Sequence, residues 1–446
     1  MVGWLKNNWL IIVFAVLIIA APTAGFIVSG MWVGGMTSDR AEEASSELRR
    51  VQGASVTYQL PPAEPGAAPV ELSGAPNAKV TEWFREKRAA IEAGRARVAD
   101  RAVEFNQGAH GVFVEGLFPS AASRSEQQRL AYAFASALLG SPDAPGAYDR
   151  LLGMVSAVEP VNPQQLATLL EATRDREVSR LAAERGPGPL SEDEAARLQQ
   201  TLVQQRKSLY SDRVRSAGVY FTRDSFLPTD GSASGVVLPI DRPSTPPSSF
   251  EAFDWQWTMW VLHDLVRAVE VANRGPDGFA QSLASAPVKR IESISVEGLP
   301  EATAEEESGG RGRGRGRGAQ SGPSPTSKGG LAPTDDSLSI TGRLSHSSNS
   351  AYDVRRATLT VVVAGDAIDE LFDAISRTNF MTVLGIRAED VDVWADLGEG
   401  YYYGPGPVVR AEIEIETVWL REWLEPLMPD DIAAALGASR SVDGEL

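Results

Sequence analysis

Three histidines are the side chains of this chain best suited to proton transfer or metal ligation: His110, His263 and His346. They fall in a loop, on a helix of apolar periodicity and in a low-complexity insert. No pair has metal-ligand spacing, and no His-Glu-x-x-His occurs. His263 precedes Asp264, but neighbours on a helix point apart, so a helix-face residue is expected there and not a dyad. Gly231–Gly235 has the glycines of a nucleophile elbow, with Ala233 where the nucleophile would stand. Neither a Gly-x4-Gly-Lys phosphate loop nor a Ser-x-x-Lys motif is present. Glu412, Glu414 and Glu416 alternate, so on a strand they share one face. Such a row could hold a cation, but a solvated face is the expected reading. No catalytic residue, cofactor or metal site is therefore expected, and the chain is expected not to be an enzyme.

The remaining candidates are residues for contact. Tyr401, Tyr402 and Tyr403 stand between glycines. Tyrosine supplies a large contact area at low entropic cost, so this loop suits a partner, or it packs back on the domain. Phe84, Ile91, Val98 and Phe105 repeat at a spacing of seven. Arg88 and Arg95 occupy the complementary row, so a coiled coil and a surface helix are both open. Arg311, Arg313, Arg315 and Arg317 alternate with glycine after Glu305, Glu306 and Glu307. The run looks like an RNA-binding tract. However, 59 acids against 42 bases leave a formal charge of −17, which repels nucleic acid. A disordered extension is the expectation for it.

The elements that carry these residues follow from composition and period. At 446 residues the chain has room for about two to three domains. Hydrophobic residues are 43% and charged residues 23%, enough for a packed core. The absence of cysteine excludes a disulfide scaffold, a thiolate metal site, a Cys nucleophile and a lipidated Cys. Five regions are expected: 1–36, 37–120, 121–250, 251–420 and 421–446. The first is a stub with a transmembrane helix. The second is a stalk, with a helix at 37–52, an extended Pro-rich linker at 53–77 and a partial coiled coil from Lys79 to Gln107. The third is a helical region ending in an irregular linker, with a capping box at Ser191 and Glu194. The last is a tail.

Region 251–420 is the best patterned. Trp255, Met259, Leu262, Leu265, Val266 and Val269 mark a helix, and Arg290–Gly298 a strand. The insert 299–336 follows, with a further possible strand at Leu338–Leu344. Then come a strand at Thr358–Ala364, a helix capped by Asp366, and strand residues from Met381 to Trp394. In the last strand Val409, Ala411, Ile413, Ile415, Thr417 and Trp419 face a core, and Arg410 and the glutamates face water. A helix followed by two strands thus occurs twice. Two such units predict a ferredoxin-like αββαββ sandwich in the α+β class.

The start of the chain carries the strongest physical signal. No formal charge lies between Lys6 and Asp39. Leu10–Val33 is 24 residues, and a helix of that length spans about 36 Å against a bilayer core of about 30 Å. Trp4, Trp9 and Trp32 sit at its ends, where aromatic belts form. Lys6 precedes the span and Asp39, Glu42 and Glu43 follow, which sets the N-terminus in the cytoplasm. A cleaved signal peptide ending in Ala21–Ala24 is the alternative. Against it, the apolar run continues through Phe26, Ile27, Val28 and Trp32.

Three stretches carry a family resemblance. They are Trp4–Asn8 running into a membrane helix that ends Gly25–Val28, the strand–Gly-Asp–helix at Leu359–Ile375 leading into Phe380–Val393, and Tyr402–Trp419. The chain resembles PilO, the single-pass inner-membrane protein of type IV pilus machines, and its relatives, PilN on one side and the GspM and GspL proteins of type II secretion on the other. It looks closest to a PilO-like branch of Planctomycetes–Verrucomicrobia-type bacteria. The stub lacks the Asn-Leu-Leu-Pro-type motif of PilN, so PilO is the better analogue. The resemblance implies a non-enzymatic inner-membrane scaffold, single-pass, with its bulk in the periplasm. It implies a homodimer or a PilN-like partner, other inner-membrane components of the assembly, the bilayer itself through residues 10–33, and no nucleic acid. The other readings are a secreted or surface binding module after signal cleavage, and a membrane-tethered enzyme or sensor.

Overall fold

A computed structural model of the chain describes Gly3, Thr341 and residues 8–62, 68–141, 144–186, 188–226, 235–299 and 351–438. The protein is mixed α+β and divides into two units, Met1–Arg101 and Ala102–Leu446.

In the first unit the expected span and the stalk helix are one element, α1 (Trp9–Gln52), 44 residues long with none buried. It is long and apolar enough to cross a membrane. Pro22 lies inside it, and the Thr23 hydroxyl donates to the Ile19 carbonyl at 2.9 Å. Membrane helices tolerate such a proline. Residues 53–77 are not simply an extended linker. They hold an antiparallel pair, β1 (Val56–Leu60) and β2 (Val70–Gly74). Val56, Tyr58 and Leu60 alternate, and Tyr58 and Leu60 are buried against Phe84 of α2 (Ala78–Gln107), with Val80 and Ile91 packed beside them. The surrounding prolines hide a pattern only five residues long.

In the second unit, helices α3 (Arg124–Leu139), α4 (Ala147–Met154), α5 (Pro163–Arg185) and α6 (Glu192–Ser216) precede α7 (Ser249–Ala272). Ser191 and Glu194 form the expected capping box, and Ser248 with Glu251 forms another. The sheet has six strands where four were expected, in the order β3-β4-β5-β6-β8-β7. The extra strands, β3 (Ala157–Val158) and β4 (Val219–Tyr220), pair in parallel and feed β5 (Val288–Val296). Each is two residues long and shows no period. Strands β6 (Tyr352–Ala364), β7 (Met381–Asp390) and β8 (Val408–Leu420) complete an antiparallel set, with Leu359 opposite Ile413 and Ile386 opposite Ile413. Between them lie α8 (Ile368–Thr378) and α9 (Val393–Glu399). The order is α7-β5-β6 and then α8-β7-α9-β8, so the second expected helix–strand–strand unit has α9 between its strands.

One core joins these parts. Leu130, Phe134 and Tyr148 of α3 and α4 share it with Trp257 of α7 and with Leu359 and Ile413 of the sheet. Burying a side chain of this size contributes about 1.5–3 kcal/mol. Residues 121–250 are thus not set apart from the sheet. Nor are residues 421–438 a loose tail: α10 (Arg421–Leu424) and α11 (Asp430–Ala435) bury Trp423, Leu424, Ile432 and Leu436. The Arg421 guanidinium meets Asp353 at 2.7 Å inside this layer.

Three local expectations are corrected. Ala367, without a side-chain bond, stands at the N-cap of α8 in place of Asp366. Strand β7 stops at Asp390, because Asp392 accepts from the Trp394 and Ala395 amides and starts α9. On β8 the inward row is as expected. Of the outward row, Glu412 pairs with Arg387 at 3.2 Å and Glu414 is exposed, but Glu416 is buried and accepts from the Thr341 hydroxyl at 3.1 Å. The insert beyond Leu299, the strand at Leu338–Leu344 (Thr341 apart), the Arg-Gly run, His346, Ala233 and Trp4–Asn7 lie outside the described residues.

Candidate functional site

Gly400 closes α9 with φ at 102°, a conformation that favours glycine. A Cβ there would meet the Val161 carbonyl, so glycine also permits this close approach. The turn sets the three tyrosines against β4 and β5. Tyr403 is buried, and its hydroxyl donates to Asp396 Oδ2 at 2.6 Å. Burial, and then the bond to Asp396, push the Tyr403 hydroxyl far above the ordinary phenol value. Tyr401 is half-buried, and the Arg290 guanidinium lies 3.8 Å from its ring centroid. Burial also raises Tyr401, partly opposed by Arg290. Tyr402 ties the loop down through its backbone, its amide donating to the Tyr220 hydroxyl at 3.3 Å. Of the two readings of this loop, packing on the domain describes Tyr403, while Tyr401 and Tyr402 keep part of their surface open.

Charges surround the loop in compensating pairs. Arg290 faces Glu292 at 3.4 Å and Asp396 at 3.8 Å. Arg410 holds Glu292 at 2.7 Å and 3.1 Å in a bidentate pair. Beside them opens a cavity of about 360 Å³, lined by Pro160, Tyr220, Asp224, Arg290 and Tyr401 among others. Aromatic faces next to balanced charges suit recognition of a polar chain segment more than bond breaking.

The four residues of the seven-residue repeat do not form one row of contacts. Phe84 and Ile91 are covered by this chain's own β1–β2 pair, with the Phe84 ring 5.1 Å from Tyr58. Val98 is 71% exposed. Phe105 stands 5.1 Å from Phe380. The repeat reflects three separate environments, of which Val98 alone of the four presents most of its side chain.

A buried polar node lies at the end of α2 and was not foreseen. Asn106 is fully buried. Its Nδ2 donates to Asn379 Oδ1 at 3.0 Å and to the Val418 carbonyl at 2.8 Å. Its Oδ1 accepts from the Leu420 amide at 2.7 Å and from Trp423 Nε1 at 2.8 Å. One turn on, His110 Nε2 is 2.8 Å from Asp264 Oδ1, and His110 Nδ1 is 3.2 Å from the Asn106 carbonyl. Asn379 donates to Asp264 Oδ2 at 2.7 Å. His263 Nδ1 stands 3.4 Å from Asp264 Oδ1, which corrects the expectation that these helix neighbours point apart. Burial pushes the Asp264 carboxyl up, but the bonds from His110, His263 and Asn379 outweigh it and leave it below its ordinary value. Trp260, Trp419 and Trp423 wall the His110 ring at centroid distances of 6.0, 5.2 and 6.0 Å. His110 and Asp264 are 154 residues apart in sequence. No local signal joins them.

No family model and no curated protein matches this chain. Solved structures from Akkermansia muciniphila do align with it. One crystal structure is 12% identical, with a TM-score of 0.22, over 67% of this chain and 96% of that one. A second, of a protein without its transmembrane region, is 12% identical with a TM-score of 0.23, over 63% and 98%. A core domain from the same organism gives 12% and 0.23, over 64% and 98%.

Proposed function

We propose that this protein is a membrane-anchored, non-enzymatic scaffold of a type IV pilus or type II secretion-like assembly, related in plan to PilO. The observation that carries the reading is α1. Among the described residues none covers this helix of 44 residues, so a bilayer is the medium that would cover its apolar run Leu10–Val33. Later in the sequence comes a domain whose order α7-β5-β6, α8-β7-α9-β8, with β5-β6-β8-β7 adjacent, fits a ferredoxin-like sandwich extended by β3 and β4. The half-open tyrosine loop, its cavity and the β7 edge of the sheet would then be the contact surfaces, toward a second copy or a PilN-like partner. The charge distribution around α1 supports a cytoplasmic start and a periplasmic bulk.

Because the chain has no cysteine, single cysteines report its topology without background. Ser46→Cys and Gln200→Cys sit at exposed positions after the apolar run Leu10–Val33, and Gly3→Cys before it. With bacterial spheroplasts and a membrane-impermeant maleimide, the first two are expected to label and the third only after permeabilisation. Labelling of Gly3→Cys alone would reverse the orientation. Recovery of all three in the soluble fraction would remove the anchor.

A further inference from the structure

We propose that His110, His263 and Asp264 form a binding site for a transition-metal cation of the zinc type. His110 Nδ1 faces the Asn106 carbonyl at 3.2 Å. A carbonyl and a carboxylate both only accept, so a neutral ring, with a single proton, can donate to one of them and not to both. With that proton on Nδ1, the Nε2 lone pair is aimed at Asp264 Oδ1, 2.8 Å away. Lone pair against carboxylate is repulsive in a site walled by three tryptophans. A cation between them removes the conflict. His263 Nδ1 is 3.4 Å from the same oxygen, and the three ligand atoms lie within 4.8 Å of one another. Tetrahedral zinc with bonds of about 2.0–2.1 Å separates its ligand atoms by about 3.3 Å, so the Nε2–Oδ1 pair opens by about 0.5 Å and the two imidazoles close by up to about 1.5 Å to seat the ion.

The surroundings fit a metal better than they fit a simple ion pair. A metal-bound histidine characteristically gives its other N–H to a backbone carbonyl, as His110 does to Asn106. Asp264 Oδ2 is already occupied by the Asn379 amide, which leaves Oδ1 as a single-oxygen ligand. Two imidazoles and one carboxylate select zinc, nickel, copper or iron over magnesium and calcium. The His110 side chain is 2% exposed and that of His263 is 31%, so the site opens on one side only. That opening supplies an entry path and room for a water as fourth ligand. The ion would fasten the loop after α2 to α7.

The test uses the full-length protein in detergent, stripped with EDTA and dialysed against zinc chloride, with metal content read by elemental analysis. Cobalt(II) titration gives a second readout, since a tetrahedral site produces visible bands and bound cobalt quenches the adjacent tryptophans. Wild type is expected to retain one zinc per chain. His263→Ala, whose side chain is partly exposed, is expected to keep its circular dichroism and bind at least about 100-fold more weakly. Asp264→Asn is expected to do the same. Equal zinc content in wild type and His263→Ala, or no retained zinc in wild type, would overturn the site; the cation between His110 and Asp264 would then be a proton.

Discussion

Replacing Asn106 with leucine is expected to lower the stability of the Ala102–Leu446 unit by about 3–5 kcal/mol. The side chain is of similar volume, so the effect is not a cavity. It is the orphaning of buried partners. The Leu420 amide and Trp423 Nε1 lose their acceptor, and the Val418 carbonyl and Asn379 Oδ1 lose a donor. Each buried group left unmade costs about 1–3 kcal/mol, partly recovered by relaxation. Urea unfolding followed by tryptophan emission measures this directly, because Trp260, Trp419 and Trp423 surround the node. Gln200→Ala, at an exposed position of α6 in the same unit, is the control and should stay within about 0.5 kcal/mol. A comparable effect from both substitutions would mean that the node adds little to the stability of the unit.

The second large effect concerns α1. Leu10–Val33 holds thirteen Leu, Ile, Val and Phe residues. At about −0.3 to −0.6 kcal/mol each, they favour insertion by about 4–8 kcal/mol. Leu17 and Ile18 lie near the centre, and an arginine there costs about 2.5–3.5 kcal/mol. The double variant Leu17→Arg, Ile18→Arg therefore nearly cancels the driving force. It is expected to move most of the protein from the membrane pellet into the soluble or degraded fraction, while Ser46→Cys leaves the distribution unchanged. Carbonate extraction followed by blotting reads the outcome. A double variant still fully in the membrane would mean that something other than α1 holds the protein there.

How much of this was legible depends on the range of the signal. The membrane-length helix follows from one uninterrupted apolar run, and β8 from strict alternation between Val409 and Trp419. The capping box at Ser191 follows from two residues three apart. All are local, and local rules read them. Strands β3 and β4 are two residues each and acquire meaning only by pairing with β5. The β1–β2 pair was hidden because Tyr58 and Leu60 find their apolar partners on α2, beyond a proline-rich stretch. The polar node was the least legible part. Asn106 and Asn379 lie 273 residues apart, and nothing in either neighbourhood marks them as partners. The tyrosine loop was half legible. Its aromatic character was plain, but the burial of Tyr403 depends on Asp396 and Arg290, which its own sequence window does not rank. The repeat at Phe84, Ile91, Val98 and Phe105 misled for a related reason. A spacing of seven keeps residues on one side of a helix, but that side meets different neighbours along thirty residues.

The scaffold reading is tested most directly by purifying the tagged full-length protein from its native membranes in mild detergent and identifying what accompanies it by mass spectrometry. PilN-, PilM- or secretin-like proteins are expected in near-stoichiometric amounts, and they should be lost from the Leu17→Arg, Ile18→Arg variant. Recovery of the intact protein alone from the membrane fraction, with no assembly component enriched over a mock purification, would contradict it.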